Sequence, residues 1–338
     1  MMKVLSLFDG MSCGMLAMMA ARVAVERYDA YEIDKYAITT SQHNFPQIIH
    51  HGDVEGADFT AYRGYDFLMG GSPCTYWSAA QSGDKRERTI EGAGTALFSQ
   101  YVKALHEARP RFFIYENNDS MSDDIRAFIS EVFRMPPVCI NSALVSAQSR
   151  KRLYWVGVRQ KDGTYRKAEV RQPENWGVVV ADILDGAAAR PRQSRRLRSQ
   201  APARVGVMPR KRDGVQTDGQ AFVIYSTEGK GPTIKANAGS AGGKTGLFAV
   251  PGQGEGTYPV ESGRILINGR KYPIKLRDGS YTIRQLSVSE CKRMQTVPEW
   301  YDFSAVSNEQ AYKMLGNGWT VEVIAHLIRS AITSSIFK

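Results

Sequence analysis

The segment Val4–Gly14, with the sequence VLSLFDGMSCG, decides the fold. The apolar run Val4–Phe8 is typical of a buried strand, and Gly10 and Gly14 follow it at a turn into the helix-forming stretch Met15–Arg22. Glycines at such a turn let the backbone approach a ligand closely, and the first turn of the helix offers free N–H groups. The glycine spacing differs from the GxGxxG pattern of dinucleotide-binding turns.

Further apolar runs alternate with helical stretches through the first 160 residues. This alternation predicts an α/β fold, a Rossmann-like sheet of parallel βαβ units with helices on both faces. From about residue 161, glycine, proline, arginine and lysine become frequent, which predicts a smaller, irregular β-rich domain. Helical patterns return at Ser287–Gln295 and Thr320–Ile332. The expected strands are Val4–Phe8, Ala30–Ile33, Phe67–Met69, Phe112–Tyr115, Val138–Ile140 and Leu153–Val158, with shorter runs at Ala221–Tyr225 and Gly263–Ile267.

The charge of the chain is unevenly distributed. The 338 residues are 43% hydrophobic, which excludes a disordered chain, and carry a net charge of +10. Residues 1–160 hold 17 basic and 18 acidic side chains, whereas residues 161–338 hold 27 and 16. Residues 187–212 contain nine basic side chains and no acidic one. The second half therefore favours a polyanionic partner, although a solvated basic loop remains an alternative.

Cysteine usage and hydropathy exclude several classes of protein. The four cysteines are widely spaced, without a CxxC pair or a histidine cluster, so neither a disulfide framework nor a metal site is expected. The N-terminus shows no signal-peptide pattern, and no stretch reaches the roughly 18 apolar residues of a membrane span. We therefore expect a cytoplasmic protein without a membrane partner.

Two loops carry the residues best suited to chemistry. Cys74 lies in a Gly/Pro loop just past the strand at Phe67, and Glu116 ends the strand at Phe112. Because ligands of α/β sheets bind beyond the carboxyl ends of strands, the two would form a nucleophile and an acid–base group on one edge. Arg150 and Arg152, two positions apart, are expected to project to one face and orient a carbonyl or phosphate. Taken singly, a loop cysteine is more often inert, and a solvated basic turn is an equal alternative for the arginines.

Carboxylates also follow two other strands. Glu32 comes about 20 positions after the glycine turn, where an acidic residue can accept hydrogen bonds from ribose hydroxyls. Asp53 could similarly hold an adenine amino group. Together with the Phe8–Gly14 turn, they predict an adenosine site.

In order along the chain, these motifs resemble those of the DNA (cytosine-5) methyltransferase family, of the short bacterial or phage type. The match covers residues 3–160 and 281–330 and comprises six motifs. They are the cofactor motif Phe8–Gly14, the nucleophile loop Pro73-Cys74, Glu116-Asn117, Gln148–Arg152, the ninth motif Arg284–Gln295 and the tenth motif Gly316–Trp319.

The resemblance implies a methyl transfer from S-adenosylmethionine, giving S-adenosylhomocysteine, to C5 of a flipped-out cytosine through a Cys74 adduct at C6. The implied catalytic residues are Cys74, Glu116, Arg150 and Arg152, with Gln148 structural. The implied cofactor contacts are Phe8, Asp9, Gly10, Met11, Gly14, Glu32, Ile33, Asp53, Val54, Pro73, Leu97, Asn317 and Trp319.

The resemblance also implies a domain organisation. Residues 1–160 would form the catalytic domain, 161–304 a target recognition domain, and 305–338 helices that return to the catalytic domain. The expected partner is double-stranded DNA, with a cognate restriction endonuclease as a further partner, and the expected state is a monomer in the bacterial nucleoid or the cytoplasm of a phage-infected cell. The expected DNA contacts are Arg190, Arg192, Arg195, Arg196, Arg198, Arg210, Lys211 and Arg212.

Three positions depart from the family pattern: Thr75 replaces the usual glutamine, Asn118 the usual valine, and Gly318-Trp319 the common Ser-Val. Two other functions stay open at this point, a cytosine-5 methyltransferase acting on transfer RNA and a catalytically weak, methyltransferase-like DNA-binding protein. A nicotinamide-dependent dehydrogenase is disfavoured by the glycine spacing.

Overall fold

The computed structural model describes residues 1–73, 76–78, 86–187, 199–209, 219–236 and 245–336. Contacts between residues divide the chain into two compact units. The first consists of Met1–Ile140, Lys151–Pro173 and Val321–Lys338, and the second of Asn141–Arg150 and Glu174–Thr320.

The first unit is built on an eight-stranded sheet with the order β3-β2-β1-β4-β5-β7-β6, in which β8 pairs with β7. The strands β1 to β5 are parallel to one another, and β7 runs antiparallel to β5 and to β8. The strands are β1 Met2–Leu7, β2 Val25–Tyr31, β3 Ile49–His50, β4 Phe67–Gly70, β5 Phe112–Asn118, β6 Val138–Asn141, β7 Lys151–Arg159 and β8 Tyr165–Lys167.

Strands and helices of this unit form a largely aromatic core on one side of the sheet. Leu5, Leu68 and Tyr115 pack there with Phe98 and Phe133 from the helices that follow β4 and β5. Strand alternation directs the intervening apolar side chains to the opposite side, and the last helix packs against β5, β7 and the first helix. The helices of the chain are α1 Cys13–Ala20, α2 Lys35–Asn44, α3 Ala93–Ala108, α4 Asp123–Phe133, α5 Val288–Met294, α6 Asn308–Asn317 and α7 Val321–Ile336.

The second unit contains a seven-stranded sheet with the order β14-β13-β12-β15-β11-β10-β9. Its neighbouring strands are antiparallel except for the parallel pair β10 and β11. Its core contains Ile224, Ala249, Val260 and Ile265. The strands are β9 Arg204–Val207, β10 Val223–Ser226, β11 Leu247–Pro251, β12 Tyr258–Glu261, β13 Arg264–Ile267, β14 Arg270–Pro273 and β15 Gly279–Arg284.

The α/β class with a second, β-rich part is confirmed, and the predicted strands and helices are present with small shifts. The largest shift concerns the strand predicted at Ala30–Ile33, which runs from Val25 to Tyr31. It ends early because the Asp34 side chain caps α2 by accepting a hydrogen bond from the Tyr36 N–H at 3.0 Å. Ile33 therefore lies outside the sheet and is 73% exposed.

The contact units differ in extent from the domains expected at residues 160 and 304. Because β8 pairs with β7, the chain stays in the first unit as far as Pro173. The helix α6 belongs to the second unit, and only α7 returns to the first. The functional role of each part stays a prediction. No helix among the described residues is long and apolar enough to cross a membrane.

Candidate active site

The register of the first sheet aligns the carboxyl ends of four neighbouring strands. Leu7 pairs with Tyr31 on one side and with Gly70 on the other, and Gly70 pairs with Tyr115. The next residue of each strand or loop therefore lies on the same edge of the sheet. These residues are Phe8, Glu32, Gly71 and Glu116.

The turn after β1 is shaped by Asp9. The buried Asp9 carboxylate accepts hydrogen bonds from the hydroxyls of Ser6 and Ser12, both at 2.5 Å, and of Tyr28 at 2.7 Å. Burial raises the pKa of Asp9, against the opposite effect of these three hydroxyls. The Asp9 side chain holds the turn from inside, and its contact with a cofactor stays a prediction. Gly10, at φ +59°, has a left-handed backbone that favours glycine.

Gly14 is required by packing within the protein. A Cβ atom at this position would lie 2.5 Å from the Tyr28 hydroxyl, which donates to Asp9. Met11, another predicted cofactor contact, is also buried, at 1% exposure. The structure thus gives both residues an internal packing role, and their contact with a cofactor stays a prediction.

Glu32 joins the tips of β1 and β2. Its carboxylate accepts hydrogen bonds from the backbone N–H groups of Gly10 at 2.7 Å, and of Ile33 and Asp34 at 2.8 Å. Burial raises the pKa of Glu32, although these N–H groups act in the opposite direction. A carboxylate offers about four lone-pair sites, so acceptor capacity remains for ribose hydroxyls.

The other predicted adenosine contacts of the first unit differ in exposure. Asp53 is exposed and accepts the Glu55 N–H at 3.0 Å, whereas Val54 is buried. Phe8 is half-buried against the aromatic core. Pro73 is exposed, and Leu97 lies half-buried in the second turn of α3. The carboxylates can accept hydrogen bonds from the ribose hydroxyls and the adenine amino group, and the exposed Ile33 offers an apolar surface to the adenine ring, so these residues fit the predicted group.

Glu116 and Arg152 form an ion pair at the same edge. The Arg152 Nε lies 3.1 Å from a Glu116 carboxylate oxygen, and the two side chains are 14% and 11% exposed. The antiparallel pairing of β5 with β7 places Asn118 opposite Arg152, two residues beyond Glu116. A Cβ atom on Gly71 would lie 2.8 Å from the Glu116 carboxylate, so the loop after β4 packs directly on it.

A group of buried polar side chains attaches that loop to β5. The Ser72 hydroxyl lies 2.7 Å from the Tyr115 hydroxyl. The Asn117 amide nitrogen donates to the Ser72 carbonyl at 3.2 Å, and its oxygen accepts the Asn118 N–H at 2.9 Å. The base of the predicted nucleophile loop is therefore fixed to the strand that carries Glu116. Cys74 itself lies outside the described residues, as does Thr75.

The described residues just beyond Cys74 are also fixed in place, by burial and by hydrogen bonds. Trp77 is buried in the aromatic core, and the Tyr76 carbonyl accepts the Glu87 N–H at 2.7 Å. The Glu87 carboxylate accepts the N–H groups of Ala93 and Gly94, both at 3.0 Å, at the start of α3. The described flanks on both sides of residues 79–85 are thus joined by a backbone hydrogen bond.

The family model for the C-5 cytosine-specific DNA methylase matches residues 2–333. The chain belongs to this family. The resemblance carried by the six motifs is therefore confirmed, and so is S-adenosylmethionine, the methyl donor of this family, as the predicted cofactor.

Relatives and solved structures agree with the family. The type II methyltransferase M.FnuDI of Fusobacterium nucleatum is 26% identical over 356 residues, covering 98% of this chain and 95% of that protein. The orphan methyltransferase M.SPRI of Bacillus phage SPR is 32% identical over 171 residues, which cover 47% of this chain and only 38% of that protein. The structure of the Dnmt2 methyltransferase of S. pombe has a TM-score of 0.67 at 15% identity, with full coverage of both chains, and shows the shared fold.

Arg150 does not share the position of Arg152, because β7 begins at Lys151 and strand alternation does not extend to residue 150. The Arg150 side chain is buried in the second unit and donates to the carbonyls of Ile234, Gly316 and Gly318 at 3.4, 3.2 and 3.0 Å. The Arg150 side chain thus holds the backbone of the tenth motif of the family, and its catalytic contact stays a prediction. Gln148 is also structural, donating to the Gln295 side chain at 2.8 Å and accepting the Ile234 N–H at 3.0 Å.

The remaining predicted residues lie elsewhere. Asn317 and Trp319 belong to the second unit, where Asn317 is exposed and Trp319 is half-buried. The Asn118 side chain, where the family usually has valine, accepts the Ser120 N–H and hydroxyl at 3.1 and 2.8 Å and so ends β5. The eight predicted DNA contacts, Arg190, Arg192, Arg195, Arg196, Arg198, Arg210, Lys211 and Arg212, lie outside the described residues.

Sequence reasoning missed the supporting residues of the site. Ser72, Tyr115 and Trp77 carry no motif of their own, and their function follows from contacts across the sheet. A hydroxyl residue next to the predicted nucleophile loop, and a tyrosine beside the predicted catalytic glutamate, are the signals that the sequence offers.

Proposed function

We propose that this chain is a DNA (cytosine-5) methyltransferase that transfers a methyl group to C5 of a flipped-out cytosine through a covalent adduct between Cys74 and C6. The observation that supports it best is the Glu116–Arg152 ion pair on the sheet edge, with the loop that leads to Cys74 packed on Glu116. Family membership supplies the reaction class.

Cys74 would act as the nucleophile. It follows Gly71 by three residues, which limits the separation of their Cα atoms to about 11 Å. Gly71 lies against Glu116, so the sequence distance allows the thiol and the carboxylate to reach one pyrimidine ring. The thiolate would add to C6, and the electron pair of the C5–C6 bond would become available at C5.

Glu116 and Arg152 would bind the base. The carboxyl group of Glu116 would hydrogen-bond the N3/N4 edge of cytosine and assist protonation at N3, which draws electrons as the thiolate attacks. The guanidinium of Arg152, which already orients Glu116, would contact the cytosine O2. Loss of the C5 proton and expulsion of the Cys74 thiolate then restore the aromatic ring.

The carboxyl ends of β1 and β2 would bind the cofactor. When bound, S-adenosylmethionine supplies an electrophilic methyl group. Glu32 would hold the ribose hydroxyls, Ile33 and Phe8 would contact the adenine ring, and Asp53 would accept its amino group.

Double-stranded DNA is the proposed substrate. The cytosine must leave the stack because its C5 and C6 atoms cannot be reached in this way inside a duplex. We propose that the second unit contributes target recognition, and that the basic residues 187–212 contact phosphates. A monomeric state and a cognate restriction endonuclease remain predictions.

One assay tests the reaction and its substrate. The chain is incubated with tritiated S-adenosylmethionine and either duplex DNA or transfer RNA, and the acid-precipitable label is measured. We expect label in DNA, its loss in Cys74→Ser, and a covalent adduct on a duplex containing 5-fluorocytosine.

Cys139→Ser is the matched control, because this free thiol is exposed on β6. It should retain wild-type labelling. Label in transfer RNA alone would favour the RNA-modifying alternative, and DNA binding without label would favour the catalytically weak one. Undiminished labelling in Cys74→Ser would overturn the proposed mechanism.

A further inference from the structure

The first unit contains a cleft between α7 and the segment that follows β8. The cleft has a volume of about 720 Å³. Its lining is polar and rich in arginine and hydroxyl groups: Arg166, Glu169, Arg171, His326, Arg329, Ser330, Thr333 and Ser334. No step of the proposed reaction uses these residues. We call it the α7 cleft.

The α7 cleft lies at the end of the sheet opposite the candidate active site. Arg166 pairs with Val158 on β7, which pairs with Phe112 at the start of β5. Glu116 lies four residues further along β5, and a strand rises about 3.3 Å per residue, so about 13 Å separates the two rows along the sheet. The cleft is therefore a separate feature of the first unit.

The walls of the cleft are fixed by the protein itself. On α7, the lining residues between His326 and Ser334 recur at intervals of three and four, which places them on one face of the helix. The Ser334 hydroxyl accepts the Glu169 N–H at 2.9 Å, and the His326 ring donates to the Arg171 carbonyl at 2.8 Å. The segment after β8 is thus tied to α7 at two points.

The side chains give the cleft a positive charge. Its lining contains three arginines and one acidic residue, Glu169. The Arg166 guanidinium donates to the Ser334 carbonyl, yet its Nε is buried and has no partner within the described chain. Arg171 is exposed and forms no ion pair with any described residue. Arg329 donates to the Ala20 carbonyl at 3.1 Å and lies 3.8 Å from Glu322.

We propose that the α7 cleft binds backbone phosphates of DNA outside the catalytic site. Arginine, serine and threonine are among the side chains that commonly contact phosphate oxygens of DNA. The stretch from His326 to Ser334 is about 12 Å long at 1.5 Å per residue, a length over which one strand of DNA carries about three phosphates. Only the choice of DNA as the partner rests on the proposed function.

The test compares two double variants that lose the same charge. Arg171→Gln/Arg329→Gln removes two arginines of the cleft, and Arg63→Gln/Arg126→Gln removes two exposed arginines elsewhere in the first unit. Binding is measured by fluorescence anisotropy over a salt series, with duplexes of about 12 and about 40 base pairs; the shorter is little more than one helical turn.

We expect the cleft variant to reduce the slope of log K against log salt by about 1.8 on the long duplex, since each phosphate contact contributes about 0.9. The short duplex and the control variant should keep the wild-type slope. Equal slopes for cleft variant and control on the long duplex would overturn the proposal, as would an equal change on both duplexes. A further outcome is that inorganic pyrophosphate binds the cleft but the salt slope for DNA is the same in the cleft variant and the wild type. This result would show that the cleft binds small phosphates and would refute the DNA contact.

Methylation of the short duplex separates this proposal from the proposed function. The cleft variant should methylate it at the wild-type rate. A chain that shows the slope change but methylates no DNA would refute the function and support the cleft. If DNA is methylated at the normal rate but the cleft variant shows no change in salt slope, the proposed function is supported and the cleft proposal is refuted.

Discussion

Replacing Tyr115 by phenylalanine should slow methyl transfer by about tenfold. The change keeps the buried ring and removes the hydroxyl that lies 2.7 Å from the Ser72 hydroxyl and 3.4 Å from the Asn117 amide nitrogen. A buried hydrogen bond lost in this way costs about 1 to 1.5 kcal/mol. If that energy positions the nucleophile loop in the transition state, 1.4 kcal/mol corresponds to about a factor of ten in rate.

Tyr101→Phe is a matched control in the same aromatic core. The Tyr101 and Tyr115 ring centroids are 4.9 Å apart, and the Tyr101 hydroxyl donates to the Ile114 carbonyl at 2.9 Å. The Tyr101 hydroxyl also lies 3.3 Å from the Leu68 carbonyl, so its removal should cost a similar free energy of unfolding, because each of the two hydroxyls has two buried partners. It has no hydrogen bond to Ser72 or Asn117, so the rate of methyl transfer should stay unchanged.

Single-turnover methylation with saturating DNA measures the chemical step, and denaturant unfolding measures stability. We expect both variants to lose stability and only Tyr115→Phe to lose rate. Equal rates for the two variants would refute the idea that the Ser72–Tyr115–Asn117 group positions the nucleophile loop.

Three further predictions follow from buried groups. Gly14→Ala places a Cβ atom 2.5 Å from the Tyr28 hydroxyl, so it should lower the free energy of unfolding by about 1–3 kcal/mol. It should also weaken S-adenosylmethionine binding, measured by calorimetry. Adding Tyr28→Phe should restore part of the stability and part of the affinity. Glu290→Gln breaks the ion pair between the buried Glu290 carboxylate and the half-buried Arg284, which donates twice at 2.7 Å. The loss should be about 3 kcal/mol by denaturant unfolding, and a loss below about 1 kcal/mol would contradict it. Burial lowers the pKa of Lys230 to about 8, so the unfolded state binds more protons between about pH 8 and 10. Over that window, the unfolding free energy of the wild type relative to Lys230→Met should rise by up to about 3 kcal/mol, whereas a constant difference would exclude this titration.

The sheet could be predicted where its strands are continuously apolar. The strands β4 and β5 are buried on both faces and therefore read as plain hydrophobic runs. The start of β2 was missed because it carries charged residues. Arg27 there donates to Asp29, whose fully buried side chain also accepts the Tyr65 hydroxyl at 2.7 Å. Hydropathy alone does not reveal that Asp29 can be buried in a strand, because the hydroxyl that hydrogen-bonds its carboxylate belongs to Tyr65, 36 positions away.

The candidate site was predictable to the extent that it depends on strand order. Glu116 and Arg152 lie near the ends of paired strands, so the pattern of the sequence was enough to bring them together. Arg150 could not be placed in this way, because its carbonyl partners are 84 to 168 residues away and belong to the main chain, which has no residue signature. The packing role of Gly14 could not be predicted either, because it depends on the hydroxyl of Tyr28 on another strand.

The inclusion of residues 141–150 in the second unit restricts how this unit, to which we assign target recognition as a proposal, can be exchanged between relatives. The chain passes between the units after Ile140, Arg150, Pro173 and Thr320. A recombination event that replaces 174–320 as one cassette leaves Gln148 and Arg150 behind, and the incoming segment must supply carbonyls and amides that match both side chains. Grafts that also carry residues 141–150 from the donor should therefore yield folded hybrids more often than grafts of the single long segment. The short peptide between β6 and β7 therefore has to match the second unit for an exchange of that unit to give a folded protein.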